Sequence, residues 1–216
     1  MRFHGVLERP TTLLPGAYCI YNHSMEVHKT LNDKIAVAVA AGRIAVIPTD
    51  TIYGIVGSAL RPETVEKIYR LRKRNRTKPM IILIGELKQL SFFGIKIDLK
   101  TKKKLDRFWP GKTSIILPCR SPKFRYLHRG KHTLAFRLPA LKSLSKFLLK
   151  TGPLVAPSAN IEGMPPARNI SEAKRYFGTK VDLYVDQGPR QGEPSALIDL
   201  SGKTIKVLRP GSMRTS

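Results

Sequence analysis

The spacing of apolar residues alternates along the chain between a helical and a strand period, which predicts a mixed α/β fold. Asn32 caps one helical stretch that Gly42 ends, and Pro62 opens a second helix. Further helical stretches are predicted over 98–111, 141–152 and 170–178. Buried strands are predicted at RIAVIP, PMIILIG, TSIILP, TLAFRLP, PLVAPS, DLYVD, SALIDL and TIKVLRPG.

The length of 216 residues fits one domain with a single core. Residues 1–27 have no clear period and contain Pro10, Pro15 and Gly16, so we expect an N-terminal extension there. Residues 28–212 are predicted to form the domain. The longest purely apolar run, at 35–41, is too short to cross a bilayer, so no membrane association is expected.

Cysteine usage indicates the compartment. Cys19 and Cys119 are the only cysteines, which gives no disulfide framework and fits a reducing environment. The N-terminal stretch has no continuous apolar core, because Glu8 and Pro10 interrupt it, and a secretory signal is not predicted. We therefore expect a cytoplasmic protein.

The charge of the chain is strongly basic. There are 39 Lys and Arg residues against 15 Asp and Glu residues, which gives a formal net charge of +24. Such a field attracts polyanions, namely RNA, nucleotides or an anionic membrane. A very soluble surface or a bias of the source organism would give the same composition, so charge alone does not select a partner.

Several familiar motifs fail on inspection. WPGKTS contains the end of a phosphate-binding loop, but Asp106 stands where that loop needs its first glycine. No G-x-G-x-x-G follows a strand, and no G-x-S-x-G is present. His128 and His132 have a spacing that suits a metal, but they lie among basic residues without acidic or cysteine partners. A loop histidine pair is the better interpretation.

The densest charge lies in KIYRLRKRNRTK at 67–78, where seven of twelve residues are basic. A triphosphate needs several converging cations, and the planar guanidinium of arginine can bind phosphate through two hydrogen bonds. A solvated helix face is the alternative for any such run.

Two further segments place short polar side chains at the ends of predicted strands, where α/β sheets usually bind ligands. IPTDTIYG, at 47–54, supplies two threonines and a tyrosine, and VAPSAN, at 155–160, supplies Ser158 and Asn160 on one face. Ordinary capped turns are the alternative interpretation of both segments.

These segments, in this order, resemble the YrdC-like family of threonylcarbamoyl-AMP synthases. The matching stretches are PTDTIYG, RKR at 72–74, WPGKTS, FRLP with Arg137, SAN, DQGPRQGEPSALIDL and VLRPG, and they span roughly residues 30–212. The family usually has Lys-x-Arg where this chain has Arg72-Lys73-Arg74. Either Arg72 replaces the family lysine or Lys73 takes its role, and the two cations are not equivalent.

The resemblance implies a single YrdC-like α/β domain, with a twisted mixed sheet and helices around an open, positively charged cavity. It also implies the reaction of L-threonine, bicarbonate and ATP to threonylcarbamoyl-AMP and pyrophosphate. A separate partner enzyme would then transfer the threonylcarbamoyl group to an adenosine in tRNA, and the charge favours direct binding of tRNA or another RNA. The alternatives are a non-catalytic RNA-binding module and a non-synthase paralogue of the same fold.

Residue roles follow from the resemblance. Arg72 and Arg74 are expected to be the catalytic cations, and Mg²⁺ is expected to arrive with ATP without a dedicated protein metal site. The residues expected to bind ATP are Arg72, Lys73, Arg74, Ser158, Asn160 and Arg209. The residues expected to bind threonine are Thr49, Thr51, Tyr53, Arg137 and Ser195.

Overall fold

The computed structural model describes residues 25–202 and 204–211. Its strands are β1 (Glu26–His28), β2 (Ala45–Pro48), β3 (Tyr53–Ser58), β4 (Ile82–Leu83), β5 (Thr113–Pro118), β6 (Thr133–Arg137), β7 (Leu154–Val155), β8 (Leu183–Val185), β9 (Ala196–Asp199) and β10 (Lys206–Arg209). Its helices are α1 (Asp33–Ala40), α2 (Pro62–Leu71), α3 (Leu99–Leu105), α4 (Arg125–His128), α5 (Lys142–Thr151) and α6 (Ile170–Phe177). Short 3₁₀ turns cover Leu87–Phe93, Pro122–Phe124 and Gly178–Lys180.

The strands form one mixed sheet in the order β1-β8-β2-β3-β7-β4-β6-β5-β9-β10. Strand β8 pairs in parallel with both β1 and β2. The pairs β4–β6 and β5–β9 are also parallel. The pairs β2–β3, β3–β7, β4–β7, β5–β6 and β9–β10 are antiparallel. The predicted α/β class with a mixed sheet is therefore confirmed.

Helices cover both faces of the sheet, because the side chains of the central strands alternate between two cores. On β2, Val46 packs into one core, while Ala45 and Ile47 pack into the other. The first core is closed mainly by α2 and α6, and the second by α1 and α5. This arrangement leaves the strand ends and the connecting turns to build a site.

Local capping explains why the predicted helices begin where they do. The side-chain oxygen of Asn32 accepts a hydrogen bond from the Ile35 amide at 3.0 Å, and Asn169 caps α6 in the same way through Glu172. Pro62 begins α2 as predicted, and Gly42, just beyond α1, has a φ of +106°.

The strands differ from the prediction in the centre and at one edge of the sheet. β4 and β7 contain only two residues each, and β3 was not predicted because YGIVGS carries two glycines and polar ends. β1 pairs with β8, so the expected extension boundary at residue 27 falls inside a strand of the sheet. Residues 1–24 of that expected extension lie outside the described residues.

Gly57 of β3 sets how closely α2 approaches the sheet. A Cβ at this position would lie 2.4 Å from Cγ2 of Thr64 and 3.1 Å from Cδ1 of Ile68, both on α2. Thr64 is buried and β-branched, so it has few alternative rotamers. The close approach fixes the position of α2, whose end leads into the basic run.

We predict that Gly57→Ala lowers the free energy of unfolding by about 1–3 kcal/mol, because overpacking displaces α2 from β3. Urea denaturation measures the change. Gly202→Ala is the matched control, because a Cβ there meets no atom within 4 Å, and it should change stability by less than about 0.5 kcal/mol. Equal stabilities of the two variants would contradict the tight contact.

Candidate active site

One cavity of about 150 Å³ brings together the segments that the sequence singles out. It lies where the β2–β3 turn, the ends of β6 and β10, the segment after β7 and the loop after α2 meet. Three arginines line it, and none of its described lining residues is acidic. The lining residues are Thr49, Thr51, Ile52, Tyr53, Gly54, Arg74, Pro79, Ile81, Arg137, Ala156, Ser158, Pro194, Ser195 and Arg209.

Arg137 lies at the end of β6 and is held by the β2–β3 turn. Its guanidinium donates to the hydroxyls of Thr51 at 3.2 Å and Thr49 at 3.4 Å, and it lies 3.0 Å from a carboxylate oxygen of Asp50. Both charged side chains are at most 7% exposed. Burial lowers the pKa of Arg137, and Asp50 opposes that change. The two threonine hydroxyls therefore fix the arginine.

Buried polar atoms of both side chains remain without a hydrogen bond. They are Nε of Arg137 and both carboxylate oxygens of Asp50, none of which has a hydrogen-bond partner among the described residues, although Oδ1 lies 3.0 Å from the guanidinium as an ion pair. Unpaired buried polar atoms cost stability, and they cluster at sites where a ligand completes the hydrogen bonding.

Arg209, at the end of β10, is aimed by Ser195. Its Nε donates to the Ser195 carbonyl at 2.9 Å, and its Nη2 lies 3.4 Å from the Ser195 hydroxyl. That hydroxyl shares a hydrogen bond of 2.9 Å with buried Ser114 of β5. Ser195 therefore orients a cation as well as lining the cavity.

Arg72 lies behind the cavity wall. It is 3% exposed, and its guanidinium donates to the Asn160 carbonyl at 2.9 Å, to the Asn160 side-chain oxygen at 2.9 Å and to the Ser158 hydroxyl at 3.2 Å. Burial, followed by the neighbouring charge of Arg74, lowers the pKa of Arg72 to about 10, so the group stays charged at neutral pH. Its Nη1 is buried and has no hydrogen-bond partner in the part of the chain that the structure describes.

The three residues of the RKR stretch point in different directions because α2 ends there. Lys73 has a left-handed φ of 49° and an exposed side chain. Arg74 turns back instead, and it donates to the carbonyls of Lys78 at 3.2 Å and Pro79 at 3.0 Å. Arg74 thus lines the cavity, Arg72 supports its wall, and Lys73 lies outside it.

Tyr53 lines the cavity, but its hydroxyl is used elsewhere. The hydroxyl donates to the Gly188 carbonyl at 2.7 Å and accepts from the Gln187 amide at 3.2 Å. Burial raises its pKa. The phenol therefore anchors the loop before β9, and the expected hydrogen bond from Tyr53 to a substrate is not available without releasing that loop.

Eight of the eleven predicted site residues line this one cavity, and their ligand-binding roles remain predictions. Arg72 and Asn160 are buried behind it, and Lys73 is exposed. The apolar part of the lining was not predicted, although Ile52, Gly54, Ala156 and Pro194 lie inside the motifs and Pro79 and Ile81 follow the basic run. Asp50 and Ser114, which lie behind the wall, also belong to quoted motifs but were not among the predicted site residues.

Comparison with known proteins places the chain in a family. The family model Sua5_yciO_yrdC, described as "Telomere recombination", matches residues 37–211. A putative threonylcarbamoyl-AMP synthase of Mycobacterium tuberculosis is 31% identical over 180 residues, which cover 82% of this chain and 82% of the relative. The threonylcarbamoyl-AMP synthase of Pyrococcus abyssi is 33% identical over 174 residues, which cover 80% of this chain and 51% of the relative.

Solved structures agree with this assignment. The Sua5 protein of P. abyssi, in complex with L-threonine, is 29% identical with a TM-score of 0.78, and the match covers 87% of this chain and 57% of that protein. YciO of E. coli, at 22% identity and a TM-score of 0.74, shares the fold. This chain spans little more than half the length of the P. abyssi protein.

The fold and the site define a small α/β protein with a cavity at its strand ends that three arginines line. The chain belongs to the Sua5/YciO/YrdC family. Because its relatives are named as synthases, it is an enzyme of the nucleotidyltransferase type.

Substitutions can test which of Arg72 and Lys73 is needed for ATP binding, because the two side chains lie in different positions. We predict that Arg72→Lys lowers stability by about 1.5–3 kcal/mol and also weakens ATP binding, because an ammonium cannot replace the hydrogen bonds to Ser158 and Asn160. Lys73→Ala should leave both properties close to those of the parent, because Lys73 is exposed and lies outside the cavity.

Urea denaturation and ATP titration measure the two effects. If Lys73→Ala abolished ATP binding while Arg72→Lys bound ATP normally, Lys73 would be the functional cation. The hydrogen bonds of Arg72 to Ser158 and Asn160 would then not be needed for ATP binding.

Proposed function

We propose that this protein is an L-threonylcarbamoyladenylate synthase, which makes threonylcarbamoyl-AMP and pyrophosphate from L-threonine, bicarbonate and ATP. The observation that carries the proposal is the convergence of Arg74, Arg137 and Arg209 on one cavity without an acidic lining residue. The family assignment and the printed activities of the relatives support it.

The cavity suits the reacting groups better than a whole nucleotide. Pockets for drug-sized ligands enclose about 300–1,000 Å³, whereas this cavity encloses about 150 Å³. We infer that the amino acid, the carbamate and the phosphates occupy it. The adenosine would then extend past Ser158 towards the surface.

Threonine binding is assigned to the β2–β3 turn and to Arg137. The carboxylate of the amino acid would pair with the Arg137 guanidinium, which Thr49 and Thr51 hold in position. Nε of this guanidinium has no hydrogen-bond partner within residues 25–202 and 204–211. Ser195 and Tyr53 bound the same space. The complex of the P. abyssi relative with L-threonine supports an amino-acid subsite in this fold.

ATP binding is assigned to Arg74, Arg209 and Ser158, which line the cavity. Arg72 and Asn160 act behind them as positioning residues, because both are buried and bonded to each other. Of the two arginines expected to be catalytic, we therefore assign this role to Arg74 alone. Lys73 is exposed, so its position does not support the expected contact with phosphate.

The chemistry requires no nucleophilic side chain. The amine of threonine captures carbon dioxide formed from bicarbonate and gives a carbamate. An oxygen of the carbamate attacks the α-phosphorus of ATP, and pyrophosphate leaves with the electron pair of the broken P–O bond. The protein orients the reactants and neutralises the charge that develops on the phosphates, and preorganised guanidinium groups do both.

Mg²⁺ is proposed to enter as the MgATP substrate. The described residues contain no group of three His, Cys, Asp or Glu side chains that could hold a metal ion. Oxygen atoms of substrate phosphates usually supply much of the coordination of Mg²⁺, so no protein cage is required.

The proposed product, threonylcarbamoyl-AMP, would be the substrate of a second reaction. We propose that a separate partner enzyme transfers the threonylcarbamoyl group to tRNA, and that the net charge of +24 favours contact with that RNA. In the part of the chain that the structure describes, no helix is both long enough and apolar enough to span a bilayer. A purely RNA-binding module explains the charge equally well, but it does not explain three arginines that line one small cavity.

We predict that pyrophosphate release from ATP requires both L-threonine and bicarbonate, because the carbamate must form before it can attack the phosphate. Omission of either reactant should reduce the rate to background in a coupled phosphate assay. Glycine replaces threonine as the control for amino-acid selectivity. RNA binding by a protein that releases no pyrophosphate under any of these conditions would favour the binding-module alternative.

A further inference from the structure

We propose that Glu162 is a positioning residue for nucleotide binding. Its carboxylate fastens the 73–78 loop, and with it Arg74, to the segment that carries Ser158 and Asn160. This inference rests on the proposed function, because it assigns a supporting residue to the ATP site. Neither the motifs of the sequence nor the cavity lining includes Glu162.

The 73–78 loop has little packing of its own. Lys73 and residues 75–78 are exposed, and Arg74 is half-buried. Exposed loops without apolar contacts are the parts of a protein that open most easily. A loop that carries a phosphate-binding cation therefore needs another restraint if the cation is to be preorganised.

Glu162 supplies that restraint at both ends of the loop. One carboxylate oxygen accepts from the Asn75 amide at 2.5 Å, and the other accepts from Nζ of Lys78 at 2.9 Å. The Glu162 amide donates to the Arg72 carbonyl at 2.8 Å, immediately before the loop. Glu162 thus contacts the chain once before Arg74, at Arg72, and twice after it, at Asn75 and Lys78.

The position of the loop determines the position of the Arg74 guanidinium. Nε and Nη2 of Arg74 donate to the carbonyls of Lys78 and Pro79, so the side chain follows the backbone at the far end of the loop. Lys78 is the residue that Glu162 holds through its ammonium group. A released loop would move the cation out of the cavity wall.

The carboxylate is ionised under ordinary conditions. The hydrogen bond from the Asn75 amide, and then that from Lys78, hold the pKa of Glu162 below its usual range. Both bonds are charge-assisted at neutral pH, and such bonds are stronger than neutral ones.

If Glu162 acted only through its charge, its removal would change ATP affinity in the opposite direction. Glu162 is a negative charge near Arg74, so its removal would strengthen the attraction for a polyphosphate if charge alone mattered. Its side chain is 26% exposed, and solvent screens that repulsion. The two roles therefore predict opposite signs for the change in ATP affinity.

The experiment compares Glu162→Ala and Glu162→Gln with the parent. The Michaelis constant for ATP and kcat are measured, together with the Kd of a non-hydrolysable ATP analogue and hydrogen exchange of the ligand-free loop. We expect Glu162→Ala to raise the KM and Kd for ATP about tenfold, with kcat within about twofold, and to speed amide exchange at residues 73–78. Glu162→Gln should lie between Ala and the parent, because an amide oxygen can still accept from Asn75.

Glu63→Ala is the matched control, because it removes an exposed carboxylate from α2 that pairs with Arg61 and does not contact the loop. It should leave ATP affinity and loop exchange unchanged. Lys78→Met removes the other partner of the Lys78–Glu162 ion pair and should reproduce the effect of Glu162→Gln. This variant tests the inference even if Glu162→Ala proves poorly stable.

The outcomes separate this inference from the proposed function. Unchanged or tighter ATP binding in both Glu162 variants, or unchanged loop exchange, would overturn the positioning role. A parent protein that binds the ATP analogue but releases no pyrophosphate with threonine would overturn the proposed reaction. The comparison of Kd values would still test the positioning role of Glu162. A parent protein that does not bind the analogue would overturn both.

Discussion

The buried guanidinium of Arg72 is the interaction on which the candidate site depends. A charge that is removed from water is costly unless hydrogen bonds replace its solvation. Arg72 obtains three such bonds from two residues, Ser158 and Asn160, that lie more than eighty positions away in the chain. The end of α2 and the segment after β7 must therefore meet in one geometry, and the basic loop starts from that point.

The same contact explains how much of the site could be predicted. The sequence marks RKR and SAN as polar motifs beside predicted strands, and both were expected to contact ATP directly. Arg72 instead donates to Ser158 and Asn160, because it is buried and its guanidinium must find hydrogen-bond acceptors within the protein. A motif indicates which residue types are needed, but which of them contact the ligand and which contact each other depends on burial, and burial follows from the complete fold.

The fold was predictable wherever local signals decide it. Asn32 and Pro62 act through a hydrogen bond or a backbone angle within a few residues, so α1 and α2 begin where these residues predict. The apolar runs PMIILIG and PLVAPS predicted β4 and β7, but not that each contains only two paired residues, and the glycine-rich β3 has no comparable local signal. Pairing with neighbouring strands and packing against α2 determine these features. The turn hydroxyls of Thr49 and Thr51 likewise found their partner, Arg137, only in the folded sheet.

The cations of the cavity differ in how their charge is balanced. Arg137 faces the carboxylate of Asp50, so much of its charge is compensated and its geometry is fixed in advance. Arg74 and Arg209 are held by backbone carbonyls, and within the described residues neither forms an ion pair. Carbonyl groups orient a guanidinium without cancelling its charge. The paired Arg137 thus suits a singly charged carboxylate that requires precise placement, whereas Arg74 and Arg209, which form no direct ion pair among the described residues, leave more of their charge available for a polyphosphate.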